Sequence, residues 1–220
     1  MLDTARIGRQ VTIALCYVYP NVLPGKYQPL ARQFARTYLE HPPGITDHEI
    51  YVVVNGFPDN TAQRLFEPLP VKLLFHNNWA KDLGAFFTAA KSISCDLLVM
   101  CGSHVNFWKT GWLDQIASAF MRYGPAVAGT FAMQVPEPHI RTTFWWTSPE
   151  ILLSYPFLED GSHRYHFEHG KESIALWSEQ RGFAPYQLTW QGAFAREHWH
   201  PATLEEGLVR DQHTMRDFGK

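Results

Sequence analysis

The chain has 220 residues, of which 45% are hydrophobic and 18% charged, so it can bury a sizeable core and is not a disordered charged tail. The length suits one domain. The formal net charge is −2 and Lys and Arg do not form runs, which argues against nucleic acid as the main partner.

The N-terminal residues 1–10 carry no apolar block, and no stretch of about 18 apolar residues occurs, so we expect neither a signal peptide nor a transmembrane segment. The three cysteines, Cys16, Cys95 and Cys101, are odd in number, and their spacing fits no disulfide framework or zinc ribbon. They are interpreted as reduced core residues of a cytoplasmic protein.

In the first 130 residues, predicted strands alternate with predicted helices. The strands are apolar runs rich in β-branched residues, at 11–19, 49–55, 71–75, 96–100 and 126–132. The helices begin near Pro29, Thr61, Asp82 and Trp112, and Asn60 or Thr61 can cap the second of them. This alternation predicts an α/β fold, with a mainly parallel sheet and helices on both faces.

The remaining chain is less regular. It contains a predicted strand at 141–147, a helix that starts at Ser148 and Pro149, a polar loop at 161–170, a helix at 172–180 and a last strand at 183–190. The tail from Pro201 is polar, and we expect it to lie at the periphery.

Ligands of an open α/β sheet bind at the carboxyl ends of its strands. The loops that leave those ends are 19–25, 55–60, 76–82, 101–106 and 133–139. The sequence has no G-x-G-x-x-G after the first strand, no P-loop and no G-x-S-x-G elbow. A Rossmann dehydrogenase, a P-loop kinase and an α/β-hydrolase are therefore disfavoured.

Five segments, in this order, resemble those of a GT-A glycosyltransferase of the family 2-like or rhamnan-synthesis-like group. They are VTIALCYVYP, VVVNGFPDN, HNNWAKDLGAFFTAA, DLLVMCGSHVNFWKTGWLDQI and FEHGKESIALWSEQRGF. The resemblance covers about residues 10–192. It implies one GT-A-like domain, with a nucleotide-binding half at about 10–130, an acceptor and catalytic half at about 131–195, and a peripheral tail at 201–220.

The resemblance also implies a donor site. Asn55 matches a position that contacts the nucleobase, and Asp82 lies in the segment that contacts base or ribose. Further donor-site candidates are Tyr17, Asn77, Lys81 and Ser103. Lys81 can pair with a phosphate. Asp82 has an alternative interpretation as the N-cap of its helix.

The sequence departs from the family at the D-x-D motif, whose carboxylates hold Mn²⁺ or Mg²⁺ against the diphosphate. This chain has Gly102-Ser103-His104 there. Three alternatives follow. His104 binds a metal, with Ser103 or a distant histidine such as His198. The enzyme is metal-independent and His104 stabilises the leaving diphosphate. Catalysis has been lost.

Glu168 is the candidate catalytic base, and Glu172 is the alternative. A first-turn acid that interacts with the helix dipole is a structural interpretation of Glu168. His163, His166 and His169 are spaced by three, which makes a metal cluster conceivable. Trp145 and Trp146 are candidates for the floor of an acceptor site.

The favoured function is a glycosyltransferase that moves a sugar from a nucleotide sugar to a glycan or another hydroxyl acceptor. The alternative is a GT-A-like domain that binds a nucleotide, glycan or protein without transfer. A nucleotidyltransferase is a further alternative. It would need a Gly-rich basic first loop and paired acids, whereas the first loop offers only Gly25 and Lys26.

Overall fold

The structure is a computed structural model that describes residues 11–156 and 164–211. Its centre is an eight-stranded sheet with the order β11-β10-β6-β9-β4-β1-β2-β3. The parallel half consists of β1 (Ile13–Pro20), β2 (Glu49–Asn55), β3 (Val71–His76) and β4 (Leu97–Cys101). The predicted α/β class with a mainly parallel sheet is confirmed.

Helices connect these strands. They are α1 (Pro24–Glu40), a 3₁₀ helix (Asn60–Leu65), α2 (Lys81–Ser92) and α3 (Trp112–Tyr123). The strand β1 is buried along its whole length, which explains its continuous apolar sequence. Each of the four predicted helices exists.

Two predicted helix starts were wrong. The helix α1 begins at Pro24, not near Pro29, because proline is accepted in the first turn, where its missing N–H is not needed. Asp59, rather than Asn60 or Thr61, caps the 3₁₀ helix, and its Oδ1 accepts a hydrogen bond from Thr61 N at 2.8 Å.

The second half is built from short elements. They are β5 (Val105–Asn106), β6 (Ala128–Gly129), β7 (Ala132–Met133), β8 (His139–Ile140), β9 (Phe144–Thr147), α4 (Pro149–Ser154), α5 (Arg164–Glu168), α6 (Ile174–Glu179), β10 (Tyr186–Thr189), β11 (Gly192–Ala195) and β12 (Arg210–Asp211). The strand β9 runs antiparallel between β4 and β6.

Several predictions for this half need correction. The strand predicted at 126–132 is divided into β6 and β7, and β7 pairs with β8 outside the main sheet. The strand β10 is not the last, because β11 follows it as an antiparallel partner. The polar loop predicted at 161–170 contains the short helix α5, while its residues 161–163 lie outside the described chain.

The tail predicted to be peripheral is partly internal. Leu208 and Val209 are buried, and β12 pairs with β5. Leu208 N also donates a hydrogen bond to Thr130 Oγ1 at 2.9 Å. The periodicity of 201–211 is too short to predict this packing; residues 212–220 lie outside the described chain.

Two hydrophobic clusters cover the two faces of the sheet. Alternation along β1 places Leu15 and Tyr17 in one cluster and Cys16 in the other. Cys16 and Cys101 are buried, as the sequence predicted, whereas Cys95 is only partly buried and is not the core residue expected; all three cysteines are unpaired. Within the described ranges, no helix is long and apolar enough to cross a bilayer.

Candidate functional site

The parallel strands end at two levels. Pro20 of β1, Asn55 of β2 and His76 of β3 are aligned in register, whereas Cys101, the last residue of β4, is aligned with Tyr17. The loops that leave these strands form the carboxyl edge, defined here as residues 21–23, 56–59, 77–80 and 102–104. Because β4 stops earlier, its loop lies against the side chain of Tyr17.

Tyr17 holds that loop. Its hydroxyl donates to Ser103 O at 2.9 Å, and burial, ahead of the nearby Cys101, Tyr19 and Asp82, raises its pKa. The side chain is fully buried, and the expected contact of Tyr17 with the donor stays a prediction. Ser103 is buried as well, and its Oγ lies 3.2 Å from His104 Nδ1.

Asn55 ends β2 with a buried carboxamide. The side chain is 1% exposed, and neither Oδ1 nor Nδ2 has a hydrogen-bond partner. Its carbonyl accepts from Asn21 N at 2.8 Å, and Val22 packs against the next residue, Gly56. An unpartnered buried amide is costly. This is the position that the resemblance assigned to the nucleobase.

The loop after β3 has an unusual backbone. Asn78, Ala80 and Lys81 all have positive φ, between 50° and 65°, which is uncommon for residues other than glycine. Asn77 Oδ1 accepts from Trp79 N at 3.1 Å and stabilises the turn. The Asn77 and Lys81 side chains are exposed beside the edge, where a ligand can reach them.

Gly84 lets the helix α2 pack under this loop. A Cβ at this position would lie 1.9 Å from Trp79 O and 2.5 Å from His76 Nε2. His76 bridges the loop and the helix, with Nε2 2.7 Å from Trp79 O and Nδ1 2.8 Å from Thr88 Oγ1. Close packing against the loop therefore explains why Gly84 occupies this position.

Asp82 is a first-turn residue of α2. The N-cap of that helix is Ala80 and no side chain caps it, so the alternative that Asp82 is the N-cap is wrong. Asp82 is partly exposed, and its charge contributes to the raised pKa of Tyr17.

The loop after β4 is tightly packed at the position of the missing acid. A Cβ on Gly102 would lie 3.3 Å from Thr143 O, which accepts a hydrogen bond from Gly102 N at 2.8 Å. The ring of His104 meets the ring of Tyr27 edge to face, with centroids 6.2 Å apart, and Lys26 Nζ lies 5.0 Å from the Tyr27 centroid. Tyr27 was not predicted as a site residue, because its segment reads as a loop before the helix.

The residues around His104 do not fit a D-x-D-type metal ion. Gly102 offers no side-chain ligand, and Ser103 Oγ already contacts His104. His198 is exposed in a 3₁₀ turn, Arg196–His198. Among the residues that the structure describes, neither His104 nor His198 belongs to a group of three potential metal ligands. A metal site formed by His104 and His198 therefore stays a prediction, because no third ligand groups with either residue in the described ranges.

Glu168 lies beside the same loop. At the end of α5, its Oε2 accepts hydrogen bonds from Thr142 N at 3.0 Å and Thr142 Oγ1 at 2.6 Å. The next residue, Thr143, carries the carbonyl that Gly102 N contacts. The two segments that the resemblance singled out, the Gly102–His104 loop and Glu168, therefore meet on the two residues that precede β9.

The other oxygen of Glu168 faces two basic side chains. Oε1 lies 3.4 Å from His169 Nε2 and 3.9 Å from Arg141 Nε. The ring of His139 packs edge to face on His169, with centroids 4.1 Å apart. Burial lowers the pKa of His169; neighbouring His139 and Arg141 also lower it, while Glu168 opposes them. We call Glu168 and its partners His139, Arg141, Thr142 and His169 the Glu168 cluster.

The structure groups one of the three predicted histidines with other residues. His163 lies outside the described residues, and His166 is exposed on α5. His169 instead groups with Glu168 and His139. The sequence analysis placed His139 at the end of a ligand loop but gave it no role, because its proximity to His169 depends on the β7–β8 hairpin.

The predicted acceptor floor is wrong in this structure. Trp145 and Trp146 are both fully buried, on opposite faces of β9. The Trp145 ring packs against Phe86 and Phe167, and the Trp146 ring against Phe144. Because a hydrophobic cluster covers each face of the sheet at β9, alternation buries both rings instead of exposing one.

Comparisons with known proteins reveal likeness in structure alone. No protein-family model and no curated protein matches the chain. Mouse xyloside xylosyltransferase 1, in its apo form, is similar with a TM-score of 0.53 at 12% identity, over 81% of this chain and 85% of that chain.

Glucosyl-3-phosphoglycerate synthase from Mycobacterium tuberculosis, in complex with Mn²⁺, UDP and phosphoglyceric acid, has a TM-score of 0.50 at 13% identity, over 73% of this chain and 63% of that chain. S. aureus TarS has a TM-score of 0.47 at 13% identity, over 66% of this chain, which spans 29% of that chain. At such identities the likeness is one of fold, and the chain has a GT-A-like α/β fold.

Proposed function

We propose that the chain binds a nucleotide sugar at the carboxyl edge and transfers the sugar to a hydroxyl group of a glycan or a small acceptor. The observation that carries the proposal is the meeting of Glu168 with the Gly102–His104 loop on Thr142 and Thr143. It brings a carboxylate to the loop that, in this fold, would lie beside the donor diphosphate.

In the proposed reaction, the acceptor oxygen bonds to the anomeric carbon while the bond from that carbon to the diphosphate breaks. A carboxylate takes the hydroxyl proton. Thr142 fixes one oxygen of Glu168 through two hydrogen bonds and leaves Oε1 for this transfer. Preorganisation of this kind reduces the cost of orienting the base.

The donor would occupy the edge between β1, β2 and β4. The unpartnered carboxamide of Asn55 offers a donor and an acceptor for the edge of a nucleobase. It is buried in this structure, so a base can reach it only if the residues around it move. Asp82 would bind the ribose, and the exposed Lys81 and Asn77 would line the entrance.

The diphosphate would be held without a D-x-D ion. The N-terminus of α1 has no side-chain cap and no acidic residue in its first turn, so the positive end of its helix dipole suits an anion. Lys26 and Tyr27 lie in that turn, and His104 contacts the Tyr27 ring. These groups would stabilise the charge of the departing nucleotide.

A binding domain without transfer is the second candidate, and one observation favours it. Gly102 replaces an acid that metal-using relatives of this fold require, and the backbone at Thr143 crowds that position. A nucleotide could bind to the same edge with no subsequent chemistry.

Release of nucleoside diphosphate from UDP-, GDP- and CDP-linked sugars, with and without an acceptor mixture, separates the two. We expect turnover with one donor, and Glu168→Gln should reduce it about 10²- to 10⁴-fold. Glu172→Gln is the matched control, because Glu172 is exposed and was the alternative base. Nucleotide binding without release of diphosphate from any donor would favour the binding domain, and equal losses in both variants would remove Glu168 from the role of base.

A further inference from the structure

The Glu168 cluster contains a three-residue ligand set away from the D-x-D position. One ligand atom from each of His139, Glu168 and His169 lies within 4.8 Å of the other two. Two imidazoles and one carboxylate are a ligand set that Zn²⁺ uses in sites that keep an open fourth position. We infer that these three side chains bind a divalent transition metal ion of the Zn²⁺ class.

The geometry is close to that of a tetrahedral site. Bonds of about 2.0–2.1 Å to zinc give distances of about 3.4 Å between ligand atoms. Glu168 Oε1 and His169 Nε2 are already 3.4 Å apart. His139 must approach them by no more than about 1.4 Å, and its ring already packs on that of His169.

The hydrogen bonds around the set prepare the ligands. His139 Nδ1 lies 2.8 Å from Glu137 O, and because a carbonyl only accepts, Nδ1 carries the proton and Nε2 keeps a lone pair for the metal. Thr142 holds Oε2 of Glu168, which orients Oε1 in the same way. Outer hydrogen bonds of this type are typical of metal sites.

Two buried polar atoms of the residues around this ligand set lack hydrogen-bond partners. His169 Nδ1 and Glu137 Oε2 are buried without a hydrogen-bond partner. Glu137 Oε2 lies 3.7 Å from the position of a Cβ on Gly170, the residue after His169. A bound cation would favour the negative charge of this carboxylate.

Arg141 opposes the ion. Its Nε lies 3.9 Å from Glu168 Oε1 and has no hydrogen-bond partner of its own. A positive charge so close to a divalent cation lowers the affinity. Removal of this charge should therefore strengthen metal binding, a result that a merely structural role of the cluster does not predict.

The inferred metal site goes beyond the proposed function, but the two share one atom, Glu168 Oε1. An ion bound to Oε1 would occupy the oxygen that the proposed base uses, so Zn²⁺ would inhibit turnover. The binding experiment itself needs neither donor nor acceptor. Its failure therefore leaves the proposed transfer untouched, and failure of transfer leaves the metal site untouched.

The test is equilibrium dialysis of chelator-treated full-length protein against Zn²⁺ alone, with bound metal quantified, and Co²⁺ absorption as a second readout. We expect one ion per chain at this site, with affinity reduced about 100-fold or more in His169→Gln and His139→Gln. His166→Gln, an exposed histidine on α5, is the matched control and should bind as the wild type does.

Arg141→Gln should bind Zn²⁺ about tenfold more tightly. This variant keeps the inference testable if the buried His139 cannot be replaced without loss of folding, which thermal unfolding in chelator would reveal. Wild-type protein that retains no Zn²⁺, or equal binding by wild type, His169→Gln and Arg141→Gln, would overturn the site.

Discussion

The carboxyl edge and the Glu168 cluster lie next to each other but are built differently. The edge consists of loops that each follow a buried strand, with backbone held by Gly84 and by the positive-φ residues of the 78–81 turn. The cluster consists of side chains brought together from the β7–β8 hairpin, the start of β9 and the end of α5. A D-x-D motif would place metal ligands at the edge. In the part of the chain that the structure describes, the grouped potential ligands lie in the cluster instead.

The difference indicates that the edge depends on backbone shape and the cluster on side-chain hydrogen bonds. Backbone clashes in the edge should therefore cost more stability than the loss of single hydrogen bonds in the cluster. The predictions below test this ranking.

Gly84→Ala should have the largest effect. A Cβ only 1.9 Å from Trp79 O forces the loop and α2 apart, and we expect the free energy of unfolding to fall by more than about 3 kcal/mol. Gly25→Ala is the control, because a Cβ there meets nothing within 4 Å. Urea denaturation measures both, and similar midpoints for the two variants would contradict the tight packing of the loop.

Two buried amides provide the next test. Gln187 Nε2 donates to Thr130 O and His200 O, at 3.1 and 2.7 Å. The side-chain amide of Asn55, in contrast, has no hydrogen-bond partner. Gln187→Met should lower the free energy of unfolding by about 3 kcal/mol, because it leaves buried carbonyls unpaired. Asn55→Leu should leave it unchanged or raise it. Equal destabilisation in urea would mean that Asn55 has a structural partner.

Adjacent threonines test the cluster. Thr142→Val removes the hydroxyl donor to Glu168, and we expect a loss of about 1–2 kcal/mol in the free energy of unfolding. Thr143→Val should be neutral or stabilising, since the Thr143 hydroxyl is buried without a partner. Chemical denaturation of this pair gives the comparison, and a reversed order would show that Thr142 does not anchor the carboxylate.

The smallest expected effect is on pH dependence. Burial lowers the pKa of His169 below its ordinary value of 6.5, so the unfolded chain binds a proton more readily than the native chain. Stability should therefore fall as the pH decreases through about 6.5. His169→Gln should flatten the profile relative to wild type, and an unchanged slope would argue against a buried neutral His169.

The edge was largely predictable from the sequence, because strands such as Glu49–Asn55 are apolar runs with clear ends, and parallel strands place those ends together. The role of Tyr17 was not, because the early end of β4 sets it. Nor was the Glu168 cluster, since the approach of His139 to His169 depends on a hairpin of two-residue strands with no periodicity to read.

The central claim is that the carboxyl edge binds a nucleotide without a D-x-D ion. The most direct test is calorimetric titration of UDP, GDP and CDP into wild type and Asn55→Leu, each in EDTA and in Mn²⁺. We predict that one nucleotide binds in EDTA about as tightly as in Mn²⁺ and that Asn55→Leu abolishes this binding. Failure of all three nucleotides to bind, or equal binding by the variant, would contradict the account.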